Sequence, residues 1–267
     1  MKSLFSLYLI FSTSLSFACD FSTDRKSVYS LSGPLTVILE ELNLLSSPVL
    51  KGISVFYPIP DSYKGEVIPG GVFLSPAKLA SMKKSLVFFD GSQELKKLFR
   101  SQNIQAIEFI SRNQTPREVT LSAMNLLNKH LSGCDDQKIL KKLDLIEKDI
   151  QAKMKTRMEV IFFLGRIMGK KLPELVIAND GVVLWLKKMN FISTYPSDLA
   201  YVNWSGAIIN NLKHGTVIVG VSEGKAPTLE NSSGRFNLVY PGGLIPGIRQ
   251  LEAWNYFLNH FEKVKLQ

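Results

Sequence analysis

Histidine and cysteine are scarce in this chain, with three of the first and two of the second. The cysteines, Cys19 and Cys134, stand far apart, no CxxC pair occurs, and His130, His214 and His260 are scattered. A zinc or iron–sulfur centre built from clustered ligands is therefore not expected. The motifs GxSxG, HExxH and GxxxxGKS/T are also missing, and the loop Gly165–Gly169 is not a dinucleotide fingerprint. Without a nucleophile–base constellation, nothing argues for an enzyme. The net charge of +9 is dispersed in pairs such as Lys83-Lys84, Lys96-Lys97, Lys141-Lys142, Lys170-Lys171 and Lys187-Lys188. There is no arginine-rich block and no aromatic–basic array, so a nucleic-acid partner is not expected. Beyond the first residues no run reaches the ~18 apolar residues of a membrane-crossing helix.

What the chain does contain begins with a leader. Lys2 precedes a mostly apolar stretch, Leu4 to Phe17, and Ser16-Phe17-Ala18 fits a small-x-small cleavage pattern. Residues 1–18 are read as a signal peptide and the protein as exported, to the periplasm. Cys19 then has two possible fates. It can carry a lipid anchor, although Phe17 is bulky for that processing, or it can pair with Cys134, as an oxidising compartment allows.

The ~250 remaining residues suffice for two compact units of ~120 each. Between them lies one long charged helix, expected from Asp135 to Arg157. Ile139, Leu143, Ile146, Ile150 and Met154 recur at three- or four-residue steps and share one face. Asp135 and Asp136 open the run, Lys153, Lys155 and Arg157 close it, and neither Gly nor Pro interrupts it. It would span about 35 Å. On each side strands and helices alternate, so the fold class is α/β. Strands are expected at Ser27–Ser30, Ile53–Phe56, Leu86–Phe89 and Ala106–Ile110, with helices at Leu35–Leu44, from Ser75-Pro76, at Gln93–Ser101, and from Thr115 to about His130. The second half is expected to repeat this grammar. Its strands fall at Val160–Leu164, Val217–Val219 and Phe236–Val239, with an extended Glu174–Ala178 and a closing helix Glu252–Lys265. A weak repeat links Ser75–Met82 and its strand with Ser205–Leu212 and Val217–Val219. The division is 1–18 leader, 19–113 first lobe, 114–157 connecting helices, 158–267 second lobe.

Three segments in this order carry a resemblance. They are Ser30-Leu31-Ser32-Gly33-Pro34-Leu35-Thr36-Val37-Ile38-Leu39, then Gly52-Ile53-Ser54, and finally Pro246-Gly247-Ile248-Arg249. The chain resembles the class III periplasmic substrate-binding proteins for vitamin B12, iron-siderophores and haem, which feed ABC importers. The resemblance implies two Rossmann-like lobes joined by a single long backbone α-helix, with the ligand in the cleft between them at the strand C-termini. It implies a monomer that needs no cofactor of its own, takes a metal chelate or tetrapyrrole-like ligand, and has an ABC permease as its partner. It also exposes departures. The surface glutamates with which such proteins dock on a permease correspond here to Ala77 and Ala207, which leaves Glu66 or Glu223 as substitutes, or leaves no permease at all. The positions of the B12-binding acid and arginine fall on Tyr240 and Leu244, so B12 itself is not implied. A sensor or interaction protein on the same scaffold is the alternative.

Cleft residues should come from loops that follow strands. Those named are Ser32, Tyr57 and Asp90 from the first half, and Arg166, Tyr201, Trp204, Glu223 and Tyr240 from the second. Aromatic rings suit large flat ligands, and Arg166 suits a ligand carboxylate. Each aromatic has packing as its competing role, Asp90 has helix capping, and Trp185 is expected in the core.

Overall fold

The computed structural model describes residues 19–22, 27–55, 57–61, 63–69, 74–111, 113–153, 158–164, 175–177, 185, 191–193, 201–203, 217–221, 228–232, 235–243 and 245–265. The expected leader lies outside them. In the first half the elements are β1 (Asp20–Phe21), β2 (Val28–Leu31), α1 (Gly33–Glu41), β3 (Leu50–Ser54), β4 (Glu66–Ile68), α2 (Pro76–Met82), β5 (Leu86–Asp90), α3 (Gln93–Ser101), β6 (Gln105–Phe109), α4 (Pro116–Leu127), β7 (Leu131–Ser132) and α5 (Asp136–Lys153). The second half contributes β8 (Met158–Leu164), β9 (Leu175–Ile177), β10 (Phe191–Ser193), β11 (Tyr201–Asn203), β12 (Val217–Val221), β13 (Thr228–Ser232), β14 (Arg235–Tyr240) and α6 (Ile248–Lys265).

The first sheet is five-stranded, ordered β4-β3-β2-β5-β6, and every pairing in it is parallel. β5 shows why. Leu86, Val87, Phe88 and Phe89 are all buried, as a strand covered on both faces requires. Leu86 and Phe88 enter one hydrophobic cluster with residues of α1 and α4. Val87 and Phe89 enter another with residues of α2 and α3. The alternation of a strand thus divides its side chains between two helical layers. Gly52 on β3 is dictated by packing, because a Cβ there would stand 2.8 Å from the Tyr29 ring and 2.9 Å from Ile68.

The helices start where their caps are. Ser75 caps α2 and Ser92 caps α3. Thr115 and Glu118 form a reciprocal capping box at α4. α1 ends at Glu41, short of the expected Leu44, and a 3-10 turn, Leu44–Ser46, follows Asn43, which has φ of 60°.

α5 has 18 residues, about 27 Å of helix. Its stripe Ile139, Leu143, Ile146 and Ile150 is buried, while Met154 and the rest of the expected last turn lie outside the described residues. The helix does not stand free. It packs along α6, and Lys153 reaches Asp149 on its own helix and Asn259 on α6. Arg117 of α4 binds Asp144 at 2.7 Å and Glu147 at 2.5 Å on its far flank.

The second sheet is seven-stranded and mixed. β8, β12, β14 and β10 run parallel, whereas β9, β11 and β13 are antiparallel to their neighbours. The second half therefore does not simply repeat the all-parallel first. The expected helix from Ser205 lies outside the described residues, and Trp185 is buried in the core as expected. The closing helix begins at Ile248, earlier than the expected Glu252, directly after Gly247 with φ of +106°. Arg249 thus belongs to the helix and not to a loop before it.

A small antiparallel pair, β1 with β7, fastens the start of the described chain beside α5. There Cys19 and Cys134 form a disulfide.

Candidate functional site

In the first sheet the chain builds β2, β3 and β4 outward in one direction, then returns to add β5 and β6 on the other side of β2. The strand order reverses between β2 and β5. Helices leaving two such strands diverge and open a crevice at their carboxyl ends, where open α/β sheets bind ligands. β2 is followed immediately by Ser32 and β5 ends in Asp90, with Leu31 beside Phe89 in register.

Ser32 is fully buried. Its Oγ caps α1, accepting from the Leu35 N–H at 3.5 Å. Around it the polar groups are mutually satisfied. Thr36 Oγ1 donates to the Ser32 carbonyl at 2.7 Å, and the Ser30 and Thr36 hydroxyls lie 2.7 Å apart. This knot fixes the strand-to-helix turn. Ser32 is thus part of the site's framework, bonded to Asp90 and turned into the turn itself.

Asp90 accepts from the Gly33 N–H at 3.3 Å, at the positive end of α1. Water reaches its side chain, yet protein surrounds it at longer range. That crowding pushes its carboxyl up to about 6, against the lowering pull of the Ser32 hydroxyl and the Gly33 N–H.

Facing this strand end is the segment between β14 and α6. A Cβ on Gly33 would stand 3.1 Å from Ile245 Cγ2, and one on Gly242 would stand 3.0 Å from Pro58 Cγ. Residues 241–243 and 245–247 thus lie against the start of α1 and against the loop after β3. Tyr240, at the end of β14, is half-buried, and its ring packs on Tyr256 at 5.8 Å.

Tyr57 is a correction to the expected cleft lining. It is 2% exposed, and its hydroxyl donates to Glu40 of α1. Burial first, and Glu40 second, push the phenol far above its ordinary range. It remains a neutral donor inside the core because the loop after β3 turns inward. Tyr201 lies within a strand, β11, paired with Ile177 of β9, rather than in a loop that follows a strand. Arg166, Trp204, Glu223 and Ala207 lie outside the described residues. Ala77 is exposed near the start of α2, whose first turn has no acidic residue.

Several residues not anticipated from the sequence are joined to one another by ion pairs. Arg249 of α6 binds Glu40 of α1 and, at 2.9 Å, Glu252 of its own helix. Lys142 of α5 binds Glu252 at 2.5 Å and Glu41 of α1 at 2.6 Å. Carboxylates on every side, chiefly Glu252, hold the Arg249 guanidinium above its usual range despite burial. The signal in the sequence was the pair Glu40-Glu41 closing an otherwise apolar helix. Among the described residues no group of three or more His, Cys, Asp or Glu could hold a metal ion. No helix among them is long and apolar enough to cross a membrane.

No protein-family profile matches the sequence, and no curated protein matches it. Solved structures do match. The periplasmic heme-binding protein RhuT from Roseiflexus sp. RS-1 is 16% identical, covering 90% of this chain and 99% of its own, with a TM-score of 0.61. The periplasmic vitamin B12-binding protein BtuF of Vibrio cholerae is also 16% identical, over 91% of this chain and 99% of its own, at a TM-score of 0.60. Helicobacter pylori CeuE with Ni(II) bound is 12% identical, over 91% and 86%, at a TM-score of 0.61. The fold of this chain is that of the class III periplasmic binding proteins.

Proposed function

We propose, from a fold shared along about nine-tenths of the chain with periplasmic binding proteins, that this protein captures a small ligand outside the cytoplasm and delivers it to an ABC importer. The ligand class is a metal chelate or tetrapyrrole-like compound: an iron-siderophore, haem or a corrinoid. It sits between two lobes at the carboxyl ends of the strands, with α5 as the spacer, and the protein works as a monomer. Asp90 and Tyr240 line the cleft beside Ser32, and Arg166, Tyr201, Trp204 and Glu223 are the second lobe's candidates.

The observation that carries this reading is the reversal of strand order between β2 and β5, with Ser32 and Asp90 at the two strand ends. Residues 1–18 act as the export leader. A Cys19–Cys134 bond supports an oxidising compartment, and a lipid anchor at Cys19 would need the sulfur that this bond uses. No enzymatic role is assigned.

Tryptophan quenching against siderophores, haem and corrinoids tests the reading. At least one compound should bind more tightly than ~10 µM, about −7 kcal/mol. Failure of the whole panel would sink it. The second reading, a sensor or interaction protein without an importer, is favoured by the exposed Ala77. If that reading holds, the ligand still binds and no permease is retained on the immobilised protein.

A further inference from the structure

The charged side chains between α1, α5 and α6 close on themselves. Glu40 binds Arg249, Arg249 binds Glu252, Glu252 binds Lys142, and Lys142 binds Glu41, the covalent neighbour of Glu40. Tyr57 adds its hydroxyl to Glu40 from the loop after β3. We propose that this ring is a latch that positions the cleft, in which Arg249 holds residues 241–243 and 245–247 against the strand ends where Ser32 and Asp90 lie. The functional consequence rests on the ligand reading above, whereas the latch itself does not.

Placement gives the ring its leverage. Glu40 and Glu41 end α1, and the other end of that helix receives Asp90 at Gly33. Arg249 and Glu252 occupy the first turns of α6, directly after the turn that brings Ile245 onto Gly33 and Gly242 onto Pro58. A displacement of α6 relative to α1 therefore moves the facing wall of the crevice as a unit. The ring side chains are only 11% to 35% exposed, so solvent screens them less than surface pairs. Glu252 serves both cations, so one ordered side chain supports two bonds, which lowers the entropic cost that weakens isolated pairs. Arg249 Nε is buried without a hydrogen-bond partner. The guanidinium thus sacrifices one donor to keep its other two nitrogens on Glu40 and Glu252.

Hydrogen exchange on the unliganded protein tests the latch. The reporters are protected amides on both sides of the crevice: Tyr57, Gly243, Ile245 and Gln250, each donating to a backbone carbonyl. Arg249→Met should speed their exchange at least ten-fold and leave Val87 and Phe88 of β5 unchanged. Glu40→Gln should act in the same direction, and adding it to Arg249→Met should have little further effect. Arg117→Met, which cuts the α4–α5 pairs outside the ring, should leave all four amides alone. Arg249→Lys, which keeps charge but not the fork, should fall between. If Arg249→Met does not fold, Glu40→Gln and Arg249→Lys carry the same comparison. Unchanged reporters, or acceleration equal to that of β5, would overturn the latch. A positive exchange result with a negative ligand panel would refute only the transport reading.

Discussion

Asp90 ties a protonation state to the strand ends. Burial pushes its folded carboxyl up to about 6, above the ordinary aspartate range. The raised value means the folded state holds the proton more tightly. The associated stability is complete below about pH 4 and is lost as pH rises through 6. Asp90→Asn keeps the shape and removes the titration. Its melting temperature should match wild type near pH 4 and exceed it at pH 8, as a thermal melt series would check. A variant that melts lower at both ends would show that the carboxylate's bond to Gly33 outweighs its desolvation. Tyr57 tests the neighbouring case. Tyr57→Phe leaves the ring in the core but withdraws the hydroxyl from Glu40. A loss of about 1–2 kcal/mol in urea unfolding is expected, since a partly buried carboxylate loses a donor. Sequence reasoning placed Ser32 and Asp90 correctly at strand ends, because a strand end is a local property. It misplaced Tyr57, because whether a loop turns inward depends on a glutamate 17 residues earlier.

At the scale of elements, long periodic segments were legible and short ones were not. α3 matches its expected limits, and β5 extends by one residue to Asp90. Four consecutive apolar residues and a serine cap are strong local signals. β4, β10 and β11 have three residues each, too few to display a period of two, and their pairing partners are distant. The antiparallel β13 was missed because Thr228–Ser232 is largely polar. α5 was recognised from its stripe, but its partner was not, since nothing local says that α6 lies along it. Leu143, fully buried on that stripe, shares a hydrophobic cluster with Leu251, Trp254 and Phe257 of α6 and reports on that packing. Leu143→Ala should cost about 2–5 kcal/mol through lost burial and a residual cavity. Calorimetry would check it, and a loss below 1 kcal/mol would mean that the α5–α6 seam closes over the gap.

For the whole molecule, the disulfide sets the largest single constraint on the unfolded chain. Cys19 and Cys134 are 115 residues apart in sequence, and closing a loop of that length is worth about 4–5 kcal/mol in the chain-entropy picture. The double variant Cys19→Ser, Cys134→Ser should melt well below the oxidised protein and be insensitive to reductant. Wild type should fall to the same melting temperature when reduced. If reduction leaves wild type unchanged, the β1–β7 pair holds this region without covalent help.

The disulfide also has an address. Cys134 follows β7, whose partner β1 is bonded through Asp20 to Ser47, ahead of β3 at the amino edge of the first sheet. Residue 19 is fastened there, whereas Asp90 ends β5 at the carboxyl edge. A bead, fluorophore or electrode joined ahead of residue 19 would leave the crevice facing outward. The start of the described chain is therefore a ready point of attachment for an immobilised sensor.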